Sequence, residues 1–197
     1  MTNEWLADLD REAAQRIETW RRTRGGESGG YVASDLAELA PILRHLAERG
    51  SGPGERFLEW GSGAGTVSIL AAELGFETWG IECEPELVAL AEELAEDFES
   101  EARFVAGTLV PAGCKVPRIP PFTSPEEGET DAYLEMGSAI TEFDVVYAYP
   151  WPGEAECLRE IFRECAREGA WLILAEEGHG WRGYEKREEE LLPRDLH

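Results

Sequence analysis

Between Arg56 and Glu176 short apolar runs alternate with stretches of helical periodicity, and few folds accept that rhythm. "RFLEW" (56–60), "ETWGIE" (77–82), "ARFVAG" (102–107), "FDVVYAY" (143–149) and "AWLILAE" (170–176) read as strands. "TVSILAAEL" (66–74), "PELVALAEELAEDF" (85–98) and "EAECLREIFRECARE" (154–168) read as helices. The second has proline in its first turn, and the third sets Cys157, Leu158, Ile161, Phe162 and Cys165 on one side. Such alternation implies a mainly parallel sheet with helices over both faces, because parallel strands need helical crossovers and are buried on both sides. The fold class is therefore α/β, doubly wound, with five or more strands.

Helical patterns also precede this core. Trp5, Leu6, Leu9, Ala13, Ile17 and Trp20 recur at three and four residues, which suits an amphipathic helix over 4–22 that ends at "RGGESGG". A second helix begins at Ser34 or Asp35, where "DLAE" resembles a capping box, and carries Leu36, Leu39, Leu43 and Leu46 to Gly50. Pro41 is expected to kink it or to mark a later start. With 197 residues and 43% hydrophobic content, one domain over 1–197 is expected. Its parts are N-terminal helices (1–50), a core (55–175), an insertion carrying five prolines (107–130) and a short tail (176–197). An insertion that long is either functional, as a lid, or a floppy excursion. The short helical candidate "DAYLEMGSAI" follows it. The tail is too short for two further strand–helix units, and "EKREEELL" reads as a solvated helix face.

The formal charge is -23, with lysine only at Lys115 and Lys186. Phosphate backbones are bound by clustered Lys and Arg, so nucleic acid is disfavoured as the main partner. A solubilising surface or adaptation to salt explains the acidity. Cys83, Cys114, Cys157 and Cys165 form no CxxC pair, and with His45, His179 and His197 they make no metal-ligand spacing, so neither a metal site nor a disulfide framework is expected. The polar, acidic N-terminus lacks the features of a signal peptide, and no run approaches the ~20 apolar residues of a membrane span, so a cytoplasmic protein without a membrane partner is expected.

The first strand runs into "GSGAG", and glycine weakens helices and strands alike, so three alternating glycines need a reason. In an open parallel sheet ligands bind beyond the carboxyl ends of the strands, where this stretch falls. GxxxxGK[ST] is absent, and GxGxxG fails because the sixth place from Gly61 is Thr66. The spacing is instead ExGxGxG: Glu59, Gly61, Gly63, Gly65, followed at the end of the second strand by Glu82.

Glu59 to Gly65 with "GIECEPELVALAEE" resembles the cofactor site of class I S-adenosylmethionine-dependent methyltransferases, whose second strand runs into "GVDxxPExLxxA". The resemblance covers roughly 31–175 and implies a Rossmann-like fold with S-adenosylmethionine as cofactor. It implies that Glu59, Gly61, Ser62, Gly63 and Gly65 lie along the methionine part, and that Glu82, beside Cys83, takes the two ribose hydroxyls. A carboxylate can accept from two vicinal hydroxyls at once. "GGYVASD" is similar to a segment that closes over the cofactor in several members, which makes Tyr31 and Ser34 candidate contacts; Ser34 reads equally as a helix N-cap. The family's seven strands end in an antiparallel pair, which the tail does not obviously supply. Where the family often has an acid near the adenine, this chain reads "VAGTL" and leaves Thr108.

At the end of the fourth strand "AYPWPGE" partly resembles the (D/N/S)PP(Y/F/W) motif of amino methyltransferases, with Tyr149 in the polar place and Trp151 for the second proline. Tyr149 and Trp151 are the catalytic candidates, as orienting hydroxyl and aromatic face, or they only cover the sheet end. His179 is set aside as a loop histidine, and the helix cysteines as core. Two functions stay open: methyl transfer to an unidentified acceptor, a small molecule or protein side chain, or a binding module that has lost catalysis and acts as sensor or subunit. The short tail and missing adenine acid favour the second, the aromatic end of the fourth strand the first. A nicotinamide oxidoreductase is a third reading that lacks its sixth-place glycine.

Overall fold

A right-handed crossover between parallel strands decides which face of a sheet each connecting helix covers. In the computed structural model, which describes residues 1–23, 31–48, 56–115, 131–176 and 180–196, that rule divides the helices into two layers. The glycine-rich breaks at 24–30 and 51–55, residues 116–130 of the proline-rich insertion, and His179 lie outside the described residues.

The strands are β1 (Arg56–Trp60), β2 (Glu77–Glu82), β3 (Arg103–Ala106), β4 (Val145–Ala148), β5 (Trp171–Glu176), β6 (Gly180–Arg187) and β7 (Glu190–Arg194), in the order β3-β2-β1-β4-β5-β6-β7. From β1 the chain steps outward through β2 to β3, then returns to β4 and steps the other way to β5, all parallel. Helices α3 (Thr66–Glu73) and α4 (Pro85–Asp97) therefore cover one face, joined by α1 (Asn3–Thr23) and α2 (Leu36–Glu48). Helices α5 (Ala132–Met136) and α6 (Ala155–Cys165) cover the other. The reversal lies between β1 and β4, where Glu59 is the register partner of Tyr147 and Trp60 of Ala148. Successive strand residues alternate between the layers: Phe57 and Tyr147 pack toward α1–α4, while Leu58, Val146 and Ala148 pack toward α5 and α6. Each large side chain so buried contributes about 1.5–3 kcal/mol.

α1 buries the stripe Leu6, Leu9, Ala13, Ile17 and Trp20, as its periodicity predicts. α2 is capped by Asp35, whose Oδ1 accepts from Glu38 N at 3.1 Å, so Ser34 is not its cap. The helix runs on through Pro41 rather than starting after it. Pro41 and Ala37, whose carbonyl loses its partner, are both exposed, which leaves that acceptor to solvent.

The tail corrects the sequence reading. It forms no helix face but an antiparallel hairpin, β6 on β5 and β7 on β6, that brings the sheet to seven strands. The hairpin hid from periodicity because its most buried strand positions are a glycine and a glutamate, with Trp181, Tyr184 and Leu191 only partly buried against the core. Gly183 and Glu185 are buried, and Glu185 is neutralised by ion pairs to Arg187 and to Arg194, the latter at 2.6 Å. The turn at Glu188 and Glu189 puts Glu188 at φ 54°, a left-handed conformation unusual for a side-chain-bearing residue. Pro193 sits on the edge strand, where no ladder N–H is missed.

Candidate cofactor and acceptor site

The loop from β1 to α3 is folded by its own backbone and by two carboxylates. The N–H groups of Gly61 and Ser62 both donate to Ile81 O at 2.9 Å, which clamps the loop onto the end of β2. At Gly63 (φ 52°) and Gly65 (φ 76°) the chain is left-handed, so a side chain costs about 1–2 kcal/mol in backbone strain alone. Each is also crowded: a Cβ on Gly63 would meet the Tyr31 ring at 2.5 Å, and one on Gly65 the Phe104 ring at 2.5 Å and Ala91 at 2.9 Å. Gly61 differs, because its Cβ position faces open space.

Glu59 ends on the α3 side of β1, 4% exposed, where its Oε2 accepts from Ser68 N at 2.8 Å and Ser68 Oγ at 2.6 Å. Gly65 precedes α3 and has no side chain to cap it, so the strand's carboxyl group caps the helix instead. Burial pushes Glu59 up to about 8, the Ser68 hydrogen bonds recover part of that cost, and the Glu82 charge adds to the rise. Glu59 is thus mostly a neutral acid at pH 7.

Glu82 binds the loop from the other side. Its Oε2 accepts from Gly63 N at 2.9 Å, while Oε1 accepts from Glu84 N at 3.1 Å and from the Cys83 thiol at 3.2 Å. Three of a carboxylate's roughly four acceptor positions are therefore filled from within. Two hydroxyls reach Glu82 together only if the exposed Cys83 thiol turns away. Although the residue reaches the surface, partial desolvation of its sulfur and the adjacent Glu82 carboxylate push the thiol up to about 12, which suits its role as donor to Glu82.

Thr108, beyond β3, makes a local bond to Val110 N at 3.2 Å and forms a β-bridge with Asp131. That bridge places Asp131, an acid from another element, beside Thr108. Asp131 Oδ1 caps α5 through Tyr133 N at 3.0 Å and Leu134 N at 3.3 Å. The Tyr133 hydroxyl pins the same loop, donating to Leu109 O at 2.9 Å and accepting from Trp60 Nε1 at 3.0 Å. Only a cap signal marks Asp131 in the sequence.

Tyr31 and Ser34 lie over the other wall. The Tyr31 ring rests on Gly63, its hydroxyl is hydrogen-bonded to Thr66, and burial pushes the phenol up to about 12. Ser34 Oγ meets the hydroxyl of Tyr147 at 2.6 Å. Tyr147 went unread because a strand residue looks like core, and it is 1% exposed; its hydroxyl nevertheless reaches the Ser34 segment, and burial holds the phenol well above its usual range.

Tyr149 and Trp151 are 42% and 46% exposed just past β4. The turn they lie in is closed by Trp151 N on Glu154 Oε2 at 2.9 Å and Glu154 N on Trp151 O at 3.0 Å. Trp181 of β6 joins them, its ring 6.1 Å from that of Tyr149 and 5.5 Å from that of Tyr147. The sequence reading missed Trp181 because its strand was not seen. The carboxyl edge therefore gathers Glu59, Gly61, Ser62, Gly63, Gly65, Glu82, Cys83, Tyr31 and Ser34 around β1 and β2. Thr108 and Asp131 stand beyond β3, and the aromatic group beyond β4.

Among the described residues no three His, Cys, Asp or Glu are grouped to hold a metal, and no helix is long and apolar enough to cross a membrane.

This architecture matches solved structures. An RNA methyltransferase from Salinibacter ruber, solved in complex with S-adenosyl-L-homocysteine, superposes with a TM-score of 0.55 over 84% of this chain and 99% of its own, at 21% identity. The chain shares that Rossmann-like fold, a seven-stranded, mostly parallel sheet between helical layers. A protein of Corynebacterium glutamicum gives a TM-score of 0.50 at 16% identity, over 84% of this chain and 66% of its own. In sequence, 82 residues are 32% identical to ribosomal protein L11 methyltransferase of Thermus thermophilus, which is 42% of this chain and 30% of that relative's length. No family model matches.

Proposed function

We propose that the protein transfers a methyl group from S-adenosylmethionine to an acceptor that is not nucleic acid. The observation that carries this reading is the bond from Gly63 N to Glu82 Oε2 at 2.9 Å, which joins the two halves of the ExGxGxG…E pattern at the carboxyl edge of adjacent strands. The residues fit the cofactor. Gly61 leaves open space where a Cβ would stand, and Glu82 keeps an acceptor position beside the loop. The nicotinamide reading gains nothing here, since the sixth-place residue Thr66 is the buried first residue of α3.

S-adenosylmethionine, when bound, supplies a sulfonium-activated methyl group. What the chain contributes is alignment and exclusion of water, since positioning alone is worth up to ~7–11 kcal/mol in ideal systems. Glu59, Gly61, Gly63 and Gly65 would hold the methionine part, Glu82 the ribose, and Thr108 with Asp131 the adenine side. Tyr149, Trp151 and Trp181 form an aromatic rim of the kind that favours a positively charged group near a ring face. The charge of -23 repels a phosphate backbone and attracts cationic acceptors. The apparently short tail, which favoured a module without catalysis, turns out to complete the sheet.

Thermal shift with S-adenosylmethionine, S-adenosylhomocysteine and NAD tests the cofactor: both adenosyl ligands are expected to raise the midpoint by mass action, and NAD is not. A shift with NAD alone sinks the reading. Radiolabelled methyl transfer to fractionated RNA, protein and small molecules then tests the acceptor, and label in RNA alone overturns that part.

A further inference from the structure

We propose that Arg21, in the last turn of α1, is a positioning residue for cofactor binding: it holds the Tyr31 carbonyl and thereby sets the Tyr31 ring over Gly63. The inference rests on the cofactor reading above. The half-buried Arg21 guanidinium donates to Tyr31 O at 2.7 Å, a charge-assisted bond across ten residues of chain. The Tyr31 ring lies so close to Gly63 that an added Cβ would sit 2.5 and 2.7 Å from two of its carbons. The hydroxyl is tied to Thr66, the first residue of α3. Three residues on, Ser34 Oγ is fastened to Tyr147 at 2.6 Å, and Asp35 caps α2. Residues 31–35 are therefore held at Tyr31 by Arg21 and by contact with the glycine loop, and at Ser34 and Asp35 by Tyr147 and α2.

The anchor at the start is itself secured elsewhere. α1 is held to α4 by Trp20 Nε1 on Glu86 Oε2 at 2.9 Å and by the Arg16–Asp97 ion pair, besides its buried stripe. Removing the Arg21 guanidinium leaves those contacts in place. A ligand lying along Gly61 and Gly63 finds open space at the first and the Tyr31 wall at the second. Fixing that wall in advance lowers the ordering cost of binding, so its release speeds dissociation. α1, which in sequence is an appended helix, thus acts on the cofactor site through one side chain of its last turn.

The test is S-adenosylhomocysteine binding by calorimetry and stopped-flow dissociation, for the wild type, Arg21→Ala, Arg21→Lys, Tyr31→Ala and the Arg21→Ala/Tyr31→Ala double variant. Arg21→Ala is expected to weaken binding about tenfold, chiefly through faster dissociation, the scale of one lost charge-assisted hydrogen bond. Arg21→Lys, which keeps a charged donor, is expected to recover most of the affinity. The double variant is expected to bind no worse than Tyr31→Ala, because both changes remove the same wall. Arg21→Ala binding within twofold of the wild type, binding more tightly, or adding its full effect to that of Tyr31→Ala overturns the proposal. If the alanine variant loses its helical circular dichroism, Arg21→Met, which keeps the aliphatic stem but has no donor, carries the test with the same thresholds. A wild type that binds no S-adenosylhomocysteine overturns the cofactor reading, and this inference with it; a wild type that binds with unaffected variants overturns this inference alone.

Discussion

Glu59→Gln isolates the cost of the buried acid that joins β1 to α3. Glutamine keeps the shape, and its carbonyl can accept from Ser68 N and Ser68 Oγ as Glu59 Oε2 does at 2.8 and 2.6 Å. What it removes is the titration. The acid rises from 4.5 to about 8 on folding. A group whose pKa is raised in the folded state contributes stability that is fully present below the unfolded value and lost as pH climbs through the folded one. The window therefore runs from about pH 4.5 to about pH 8, with a slope near 1.36 kcal/mol per pH unit. By pH 8 the wild type should have lost about 4 kcal/mol that the glutamine variant keeps, an order-of-magnitude figure for a fully buried group. For a chain of this length that is on the order of 10 °C in midpoint. Urea unfolding of both proteins at pH 5, 6, 7 and 8 is the assay. The curves should nearly coincide at pH 5 and separate steadily toward pH 8, with the variant above. Other carboxylates titrate in both proteins, so their contribution cancels in the difference. Parallel curves across the whole range would refute the argument that Glu59 is held neutral by burial.

Three further outcomes follow from packing and strand pairing. Gly65→Ala forces a side chain at φ 76° into the Phe104 ring and Ala91, so it should cost about 2–4 kcal/mol in denaturant unfolding, backbone strain and overpacking together. Gly61→Ala carries only the strain and should cost about 1–2 kcal/mol. Truncation after Glu176 strips β6 and β7 from β5, exposing the hydrogen-bonding edge of a strand whose Trp171, Leu172, Ile173 and Leu174 are buried; the expected result is elution as larger species than the full chain on size-exclusion chromatography.

Legibility in the sequence followed the source of each signal. β1 and β2 were readable to the residue because both are short apolar runs bounded by glycine or turn residues, and every residue of β1 after Arg56 is buried. The glycine loop was readable because left-handed backbone leaves glycine as its mark, and Glu82 because it ends β2. The C-terminal hairpin was not, since Glu185 is buried by pairing with Arg187 and Arg194 and not by being apolar. The link of Asp131 and Trp181 to the site was not legible for a related reason: their neighbours, Thr108 and Tyr149, are distant in sequence, and only the bridge to Thr108 and the ring contact with Tyr149 associate them. Tyr147 became legible only as the register partner of Glu59.

The sequence by itself determined the strand–helix alternation, the parallel core and the positions of the two acids, because periodicity and backbone conformation are local properties. Tertiary structure decided what those acids do. Glu59 caps α3 and is held mostly protonated, and Glu82 spends most of its acceptor capacity on Gly63, Cys83 and Glu84, since burial and the placing of these donors are set only when β1, β2 and α3 pack together. It also decided that α1 reaches the glycine loop through Arg21 and Tyr31, a connection that exists only because the helix and the loop pack against the same face of the sheet.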